Sequence, residues 1–336
     1  MKKILVTLGP ASLKKEIVEN LTLLGVYLFR INLSHTPLDL VEKNIKMIQS
    51  WTNVPICLDS EGAQLRNGNM FTENVEFKLG QKVLISNDNI IGDENKISFN
   101  PSSIINQFSI GDKIQVDFNN VSLEIIEKID DCFYAIVSSG GTIGSNKAAD
   151  VNKDLEFEPL TDKDIKSIKI GLDNGVKNFA MSFANKPEDV DLMRSLCGKD
   201  SNIICKIESP LGVKNLEGII ERTDAILIDR GDLSRRIPIT LIPFLQRKII
   251  STSCFMKKPV FVATNLLESM ISTISPTRAE VNDVVSTLEM GASGLVLAAE
   301  TAVGKYPQKS VEMIKNLIDA YERFTPNTSI DDLMKN

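Results

Sequence analysis

Eight short apolar runs recur along the chain, most ending in polar or charged residues, and longer segments with helical periodicity lie between them. The runs are Ile4–Leu8, Tyr27–Asn32, Ile56–Asp59, Asn178–Met181, Ile203–Ile207, Ala225–Ile228, Val260–Ala263 and Gly294–Leu297. Their length and composition predict buried strands. The segments Leu13–Leu24, Leu38–Trp51, Asp162–Asn174, Pro187–Leu196, Pro238–Met256 and Thr277–Met290 predict helices. The rhythm breaks once, from Glu61 to about Phe157, directly after the third run. There Val75–Leu79, Lys82–Ser86, Lys96–Phe99, Lys113–Phe118, Val121–Lys128 and Cys132–Ser138 alternate with Gly-Asp and Asn-rich turns, and no helical pattern interrupts them. The expected fold is α/β: a (β/α)8 TIM barrel with a small all-β domain inserted after strand 3. Without the insertion about 240 residues remain, close to the size of such barrels. The expected boundaries are 1–68 and 157–326 for the barrel, 69–156 for the insertion and 327–336 for a tail.

Composition narrows the class. A hydrophobic content of 43% supports a large core, and the net charge of −6 carries no basic stretch suited to nucleic acid. The five cysteines, Cys57, Cys132, Cys197, Cys205 and Cys254, are scattered without a CxxC pair and read as reduced packing residues. Met1-Lys2-Lys3 leads straight into the first short strand, so neither a signal peptide nor a membrane span is expected. The expectation is a soluble cytoplasmic protein with no membrane or nucleic-acid partner.

TIM barrels place their chemistry at the C-terminal ends of the strands. Here those ends carry Arg30–His35, Asp59–Ser60, Ser182, Lys206–Glu208, Asp229–Asp232, Thr264 and Glu300. Helix capping accounts for one or two of these, such as Asp232, but poorly for seven clusters on one face. Glu208 and Asp232 are carboxylates on neighbouring strand tips, and all-oxygen ligation favours Mg²⁺ or Mn²⁺ sharing its shell with a substrate. Lys206 lies two residues before Glu208 and so points to the same face of a regular strand. Beside a metal, that lysine would neutralise a transferring phosphoryl group or stabilise an enolate. Arg30, Arg66 and Arg230 offer further cationic contacts to phosphate. Asn32, Ser34, Asp59 and Ser60 form a second oxygen set, suited either to a monovalent cation or to a strand-end hydrogen-bond network. The chain's single histidine, His35, sits among these polar neighbours, while Thr277–Glu280 reads as a capping box.

Several motifs resemble those of the pyruvate kinase family: Thr7–Ser12 (TLGPAS), Arg30–His35 (RINLSH), Lys206-Ile207-Glu208, Arg230–Leu233, Ala263–Met270, Pro276–Glu280 and Glu300-Thr301-Ala302. They follow the family's order and spacing, and the insertion falls where the family carries its mobile B domain. The resemblance implies phosphoryl transfer from phosphoenolpyruvate to ADP, giving pyruvate and ATP. It implies that Arg30 and Lys206 contact the phosphoryl group, with Lys206 the main charge stabiliser. It further implies that Glu208 and Asp232 hold Mg²⁺ and that Gly231 and Thr264 receive the carboxylate and enolate end. Asn32, Ser34, Asp59 and Ser60 would hold K⁺, and His35, Arg66 and Lys147 would lie around the nucleotide.

The chain departs from that pattern at identifiable positions. Glu61, Ala63 and Gln64 replace a lysine, a proline and a glutamate of the family motif, and Gln64 removes a charge near the expected K⁺ site. Asp229 replaces a small residue and would repel an anionic substrate unless paired or turned away. Ser234-Arg235-Arg236 replaces G-x-E, Ala298-Ala299 replaces Ser-Gly, and Lys147–Asp150 lacks the family's Gly/Pro-rich hinge. The sequence also stops soon after its last barrel helix, so activation by a sugar phosphate through a further domain is not expected, whereas barrel contacts leave room for a homodimer. Two further functional classes follow from these changes: an enzyme of phosphoenolpyruvate or pyruvate enolate using another acceptor, and a non-catalytic regulatory homologue.

Overall fold

The computed structural model describes residues 2–62, 64–117, 120–324 and 327–334. Chain contacts divide it into two units, 1–62 with 159–336, and 63–158. Eight parallel strands close the first unit into a barrel: β1 (Lys3–Leu8), β2 (Leu28–Asn32), β3 (Ile56–Asp59), β4 (Asn178–Met181), β5 (Asn202–Ile207), β6 (Ala225–Asp229), β7 (Val260–Ala263) and β8 (Gly294–Leu297). Each strand pairs with its sequence neighbours, and β1 closes the ring on β8 through Lys3↔Gly294 to Val6↔Leu297. The (β/α)8 architecture expected from the strand rhythm is the one observed.

The period of two along each strand builds two cores. Outward residues such as Val6, Phe29, Leu58, Ile207, Ile226, Ile228 and Val262 pack under the helices. Inward residues form a smaller cluster of Leu5, Leu28, Cys57, Ala180, Ile204, Ala225, Leu227, Phe261, Ala263 and Val296. Stepping two residues further along the inward register leads from Leu5 to Thr7, Leu28 to Arg30, Cys57 to Asp59, Ala180 to Ser182, Ile204 to Lys206 and Leu227 to Asp229. All six of these polar residues are buried. The alternation that fills the barrel with apolar side chains therefore delivers its polar ones to one mouth.

The surrounding helices follow the sequence pattern. They are α1 (Lys15–Leu23), α2 (Leu38–Gln49), α3 (Asp162–Asp173), α4 (Pro187–Cys197), α5 (Pro210–Lys214), α6 (Leu216–Arg222), α7 (Arg230–Arg236), α8 (Ile242–Phe255), α9 (Arg278–Glu289), α10 (Ala299–Ala302) and α11 (Pro307–Arg323). The segment expected to be helical from Pro238 starts instead with a 3₁₀ turn at Ile239–Leu241, and Pro243 lies in the first turn of α8. Helix α11 is the last barrel helix: Pro307 opens it and Val311, Ile314 and Ile318 form its buried stripe. Among the described residues no helix is long and apolar enough to cross a membrane. All five cysteines are free, and burial pushes the Cys205 thiol up to about 12.

The second unit is β-rich, as expected. A seven-stranded sheet runs in the order 149–151, 113–116, 121–129, 132–139, 82–86, 96–100 and 66–67, and a two-stranded sheet pairs 141–143 with 75–77. Its own core includes Phe77, Phe99, Phe108 and Phe133. One 3₁₀ helix, Ser102–Gln107, interrupts the strands where no helix was expected. The expected strand end at Phe118, the substitution at Ala63 and the expected barrel limit at Pro326 lie outside the described residues.

Asp164 fixes the exit from β3. It is fully buried and completes the capping box of α3 with Thr161. Its carboxylate also accepts from the backbone N–H groups of Glu61 at 2.7 Å and Gly62 at 3.2 Å. Asp164→Ala removes a helix cap and orphans buried donors, so it should cost the barrel about 2–4 kcal/mol. Asp164→Asn, which keeps one carbonyl acceptor, should cost less. Trp51 is the only tryptophan and lies in the barrel unit, so denaturant titration followed by its fluorescence checks the order.

Candidate active site

The ammonium of Lys206 is the hub of the barrel mouth. It lies 2.9 Å from Glu208 Oε1, 3.5 Å from Asp59 Oδ2 and 3.7 Å from Asp229 Oδ2, and it donates to Ser182 Oγ at 3.1 Å. Burial alone would lower its pKa, but the carboxylates of Asp59, Glu208 and Asp229 outweigh burial and raise it well above the ordinary lysine value. Arg30 reaches the same Asp59 oxygen at 3.0 Å through Nη1, while its Nε donates to Thr7 Oγ1 at 2.9 Å. Two buried cations thus share one carboxylate. Arg30 Nη1 sits within ion-pair distance yet has no aligned hydrogen-bond acceptor among the described residues.

Glu208 stands one step beyond β5. Its Oε2 accepts from the backbone N–H of Phe183 at 2.7 Å, and Phe183 adopts a left-handed conformation with φ of 51°. The expected pair of Glu208 and Asp232 is joined by a third carboxylate, Asp229: oxygens of all three lie within 4.8 Å of one another. Asp229 Oδ1 is buried and lacks a hydrogen-bond partner among the described residues, whereas Glu208 Oε1 is met by the Lys206 ammonium at 2.9 Å. Hard, clustered and under-satisfied oxygens suit Mg²⁺ or Mn²⁺. Asp229, which would repel an anionic substrate unless paired or turned away, is buried and paired with Lys206.

At the end of β7, Thr264 and Asn265 take φ values of 68° and 54°. This is a costly conformation for a β-branched threonine. Arg230 explains how it persists. Its Nε and Nη2 donate to the Thr264 carbonyl at 3.2 and 2.7 Å, and its Nη1 donates to Asp283 Oδ2 at 2.6 Å. Arg230, one of three cations the sequence offers for contact with phosphate, is engaged with these acceptors and holds the loop. The Gly231 N–H donates to Thr264 Oγ1 at 2.8 Å, so those two expected substrate contacts are adjacent.

Asn32, Asp59 and Ser60 each already accept a hydrogen bond: Asn32 Oδ1 from the Ser34 N–H, Asp59 Oδ2 from Lys206 and Ser60 Oγ from the Ser182 N–H. These bonds make a strand-end network, and with Asp59 spent on two cations the set fits K⁺ less well than the carboxylate triad fits a divalent ion. His35 lies on the 3₁₀ turn Leu33–His35 and, with Arg30, Asn32, Pro10, Leu40 and Asn44, lines a cavity of about 490 Å³. Arg66 and Lys147 belong to the inserted unit, where Arg66 donates to the Asn146 carbonyl at 2.9 Å and Lys147 pairs with Asp117 at 3.6 Å. Ser182 was visible only as a polar strand end; its contact with Lys206 had no signal in the sequence. Glu300 is buried and braces two loops, accepting from the N–H groups of Leu267 and Ala298 at 3.2 and 2.9 Å.

Burial pushes the Glu208 carboxyl up to about 8. Lys206 opposes that rise, whereas Asp229 and Asp232 add to it. Burial raises Asp232 in the same direction. An acid raised in the folded state binds its proton more tightly there than when unfolded. It therefore leaves stability intact below its ordinary 4.5 and lowers it as pH rises toward 8. With a chelator present, the thermal midpoint should fall between about pH 5 and pH 8, more steeply than in Glu208→Gln. Parallel profiles for the two proteins would remove Glu208 as the cause, and saturating Mg²⁺ should flatten the wild-type slope.

The barrel and its mouth have close counterparts. Residues 1–311 match the family described as "Pyruvate kinase, barrel domain". A pyruvate kinase of Thermotoga maritima is 38% identical over 330 residues, covering 96% of this chain and 71% of the relative. A plastidial pyruvate kinase 3 of Arabidopsis thaliana is 33% identical over 322 residues, covering 93% and 56%. The pyruvate kinase of Thermococcus litoralis is 33% identical over 331 residues, covering 96% and 70%. The chain thus spans between about half and three-quarters of the length of these relatives. Since the match runs through all eight strands and every polar strand end of the mouth, the chain belongs to the pyruvate kinase barrel family.

Proposed function

We propose that the chain transfers the phosphoryl group of phosphoenolpyruvate to ADP, with pyruvate and ATP as products. The observation that carries this is the pair of buried cations, Arg30 and Lys206, set beside the Glu208 and Asp232 carboxylates, with an under-satisfied Arg30 Nη1. A trianionic phosphate ester supplies the acceptors that such donors lack. In the transfer, the bond between phosphorus and the enol oxygen breaks and a bond to the ADP β-phosphate oxygen forms. The enolate left behind takes a proton to become pyruvate. Lys206 stabilises the charge on the moving group and Arg30 orients it, both without reorganisation because their neighbours already fix them. Glu208 and Asp232 would hold Mg²⁺, which when bound adds positive charge to the phosphoryl oxygens. Gly231 and Thr264 are assigned to the carboxylate end, and the cavity at His35 to the nucleotide. K⁺ dependence belongs to the same expectation, through Asn32, Ser34, Asp59 and Ser60.

A different acceptor is the second reading. It is favoured by Arg235, whose Nη1 lies 3.2 Å from Asp232 Oδ1 and brings a cation into the mouth. The deciding assay is pyruvate release from phosphoenolpyruvate with Mg²⁺, with and without K⁺, against ADP, other nucleoside diphosphates and no acceptor. ADP-dependent turnover is expected, and Lys206→Met should lower it by at least about 10²–10³-fold. Binding of phosphoenolpyruvate with negligible turnover on every nucleotide would replace ADP with another acceptor. Turnover that survives Lys206→Met would overturn both readings.

A further inference from the structure

Asp229 stands where the family pattern carries a small residue, so it adds a negative charge to the barrel mouth. It ends β6 in the inward register, two residues after the core residue Leu227, and its residue exposure is only 5%. One oxygen, Oδ2, is turned to Lys206 at 3.7 Å. The other, Oδ1, is buried without a hydrogen-bond partner among the described residues. A β-carbon placed on Gly231 would stand 3.5 Å from Asp229 Oδ1 and 3.6 Å from Thr264 Oγ1. The unpaired oxygen therefore borders the two residues assigned to the carboxylate end of the substrate.

A ligand carboxylate entering beside Gly231 and Thr264 meets Oδ1 in a low-dielectric mouth, where like charges repel more strongly than in water. Pairing does not cancel this repulsion, because the single charge of Lys206 is shared among Asp59, Glu208 and Asp229. Around the mouth, Arg30, Lys206 and Arg235 face Asp59, Glu208, Asp229 and Asp232, three positive charges against four negative. A small residue in place of Asp229 would leave the two signs balanced. Toward a ligand N–H or O–H the same oxygen acts in the opposite sense. A donor that meets it removes the cost of a carboxylate oxygen buried without a partner. One atom thus penalises an added anion and rewards a hydrogen-bond donor of the same size.

We propose that Asp229 sets the charge selectivity of the substrate subsite at Gly231 and Thr264. It weakens ligands that place a carboxylate there and favours those that place an amide, a hydroxyl or another donor in the same position. The inference rests on the assignment of Gly231 and Thr264 to the carbon end of the substrate, and it is indifferent to the phosphoryl acceptor. Phosphoenolpyruvate, with a carboxylate at that end, is held less tightly than it would be beside a small residue.

Oxalate and oxamate are the probes. They are planar and nearly equal in size, and oxamate exchanges one carboxylate oxygen for an amide NH2, losing one negative charge. Calorimetric titration of each ligand into the full chain at saturating Mg²⁺ gives the two dissociation constants, for wild type and for Asp229→Asn. That variant keeps the shape of the side chain and removes its charge, and the preference for oxalate over oxamate should rise in it at least about tenfold. Asp229→Ala should do the same and carries the test if the asparagine variant fails a thermal melt. A ratio taken within one protein is not moved by the fraction of that protein that is folded or metal-loaded. A ratio within about twofold of wild type would overturn the inference and leave Asp229 only as a counter-ion of Lys206. Binding of neither ligand to any of the proteins would overturn it as well, by removing the subsite itself. An altered ratio in a protein that does not turn over phosphoenolpyruvate would uphold the inference while the proposed reaction fails.

Discussion

Everything at the barrel mouth depends on how one buried ammonium is paid for. Lys206 is enclosed by Asp59, Glu208, Asp229 and Ser182, and none of these carboxylates would be tolerable there without it or another cation. Each partner comes from a different strand end, so the cluster exists only once β3, β4, β5 and β6 are side by side. Asp59 has the further task of serving Arg30 with the same oxygen that meets Lys206. The result is a rigid set of charges in a low-dielectric mouth, where its effect on a charged substrate is far larger than in water.

Backbone geometry around this cluster is equally constrained. Phe183, Thr264 and Asn265 all have positive φ, and all three lie within two residues of the end of a barrel strand. At Phe183 the unusual turn aims an N–H at Glu208, and at Thr264 the guanidinium of Arg230 holds the carbonyl in place. Such conformations persist where surrounding bonds over-determine them. Asp164 plays the same role one turn away, tying the backbone of Glu61 and Gly62 to the start of α3. The strand tips are thus held by hydrogen bonds that leave Arg30, Lys206 and the carboxylates little freedom to rearrange.

The sequence and the structure agree most closely where signals are local. All eight barrel strands lie within a residue or so of the apolar runs, because a strand buried on both faces is apolar throughout and its polar tip marks its end. The capping box at Thr277 was legible for the same reason, being a four-residue pattern. Helix α7 was harder to see, since its seven residues, Arg230–Arg236, carry only one buried apolar side chain, Leu233. The partners of Arg230 could not be read from the chain, because they are a carbonyl on β7's exit and Asp283 on α9, both distant in sequence.

By itself the sequence determined the strand rhythm, the position of the insertion and the residue types at each strand end, because these follow from periodicity along the chain. It also carried the family motifs, and with them the expected chemistry of Lys206, Glu208 and Asp232. Tertiary structure alone decided which of those polar groups meet. It paired Asp229 with Lys206 inside the carboxylate cluster, placed Ser182 on Lys206 and set Arg230 against the Thr264 carbonyl and Asp283. The physical reason is that charge pairing depends on distances of a few ångströms between strands, and closure of the barrel sets those distances.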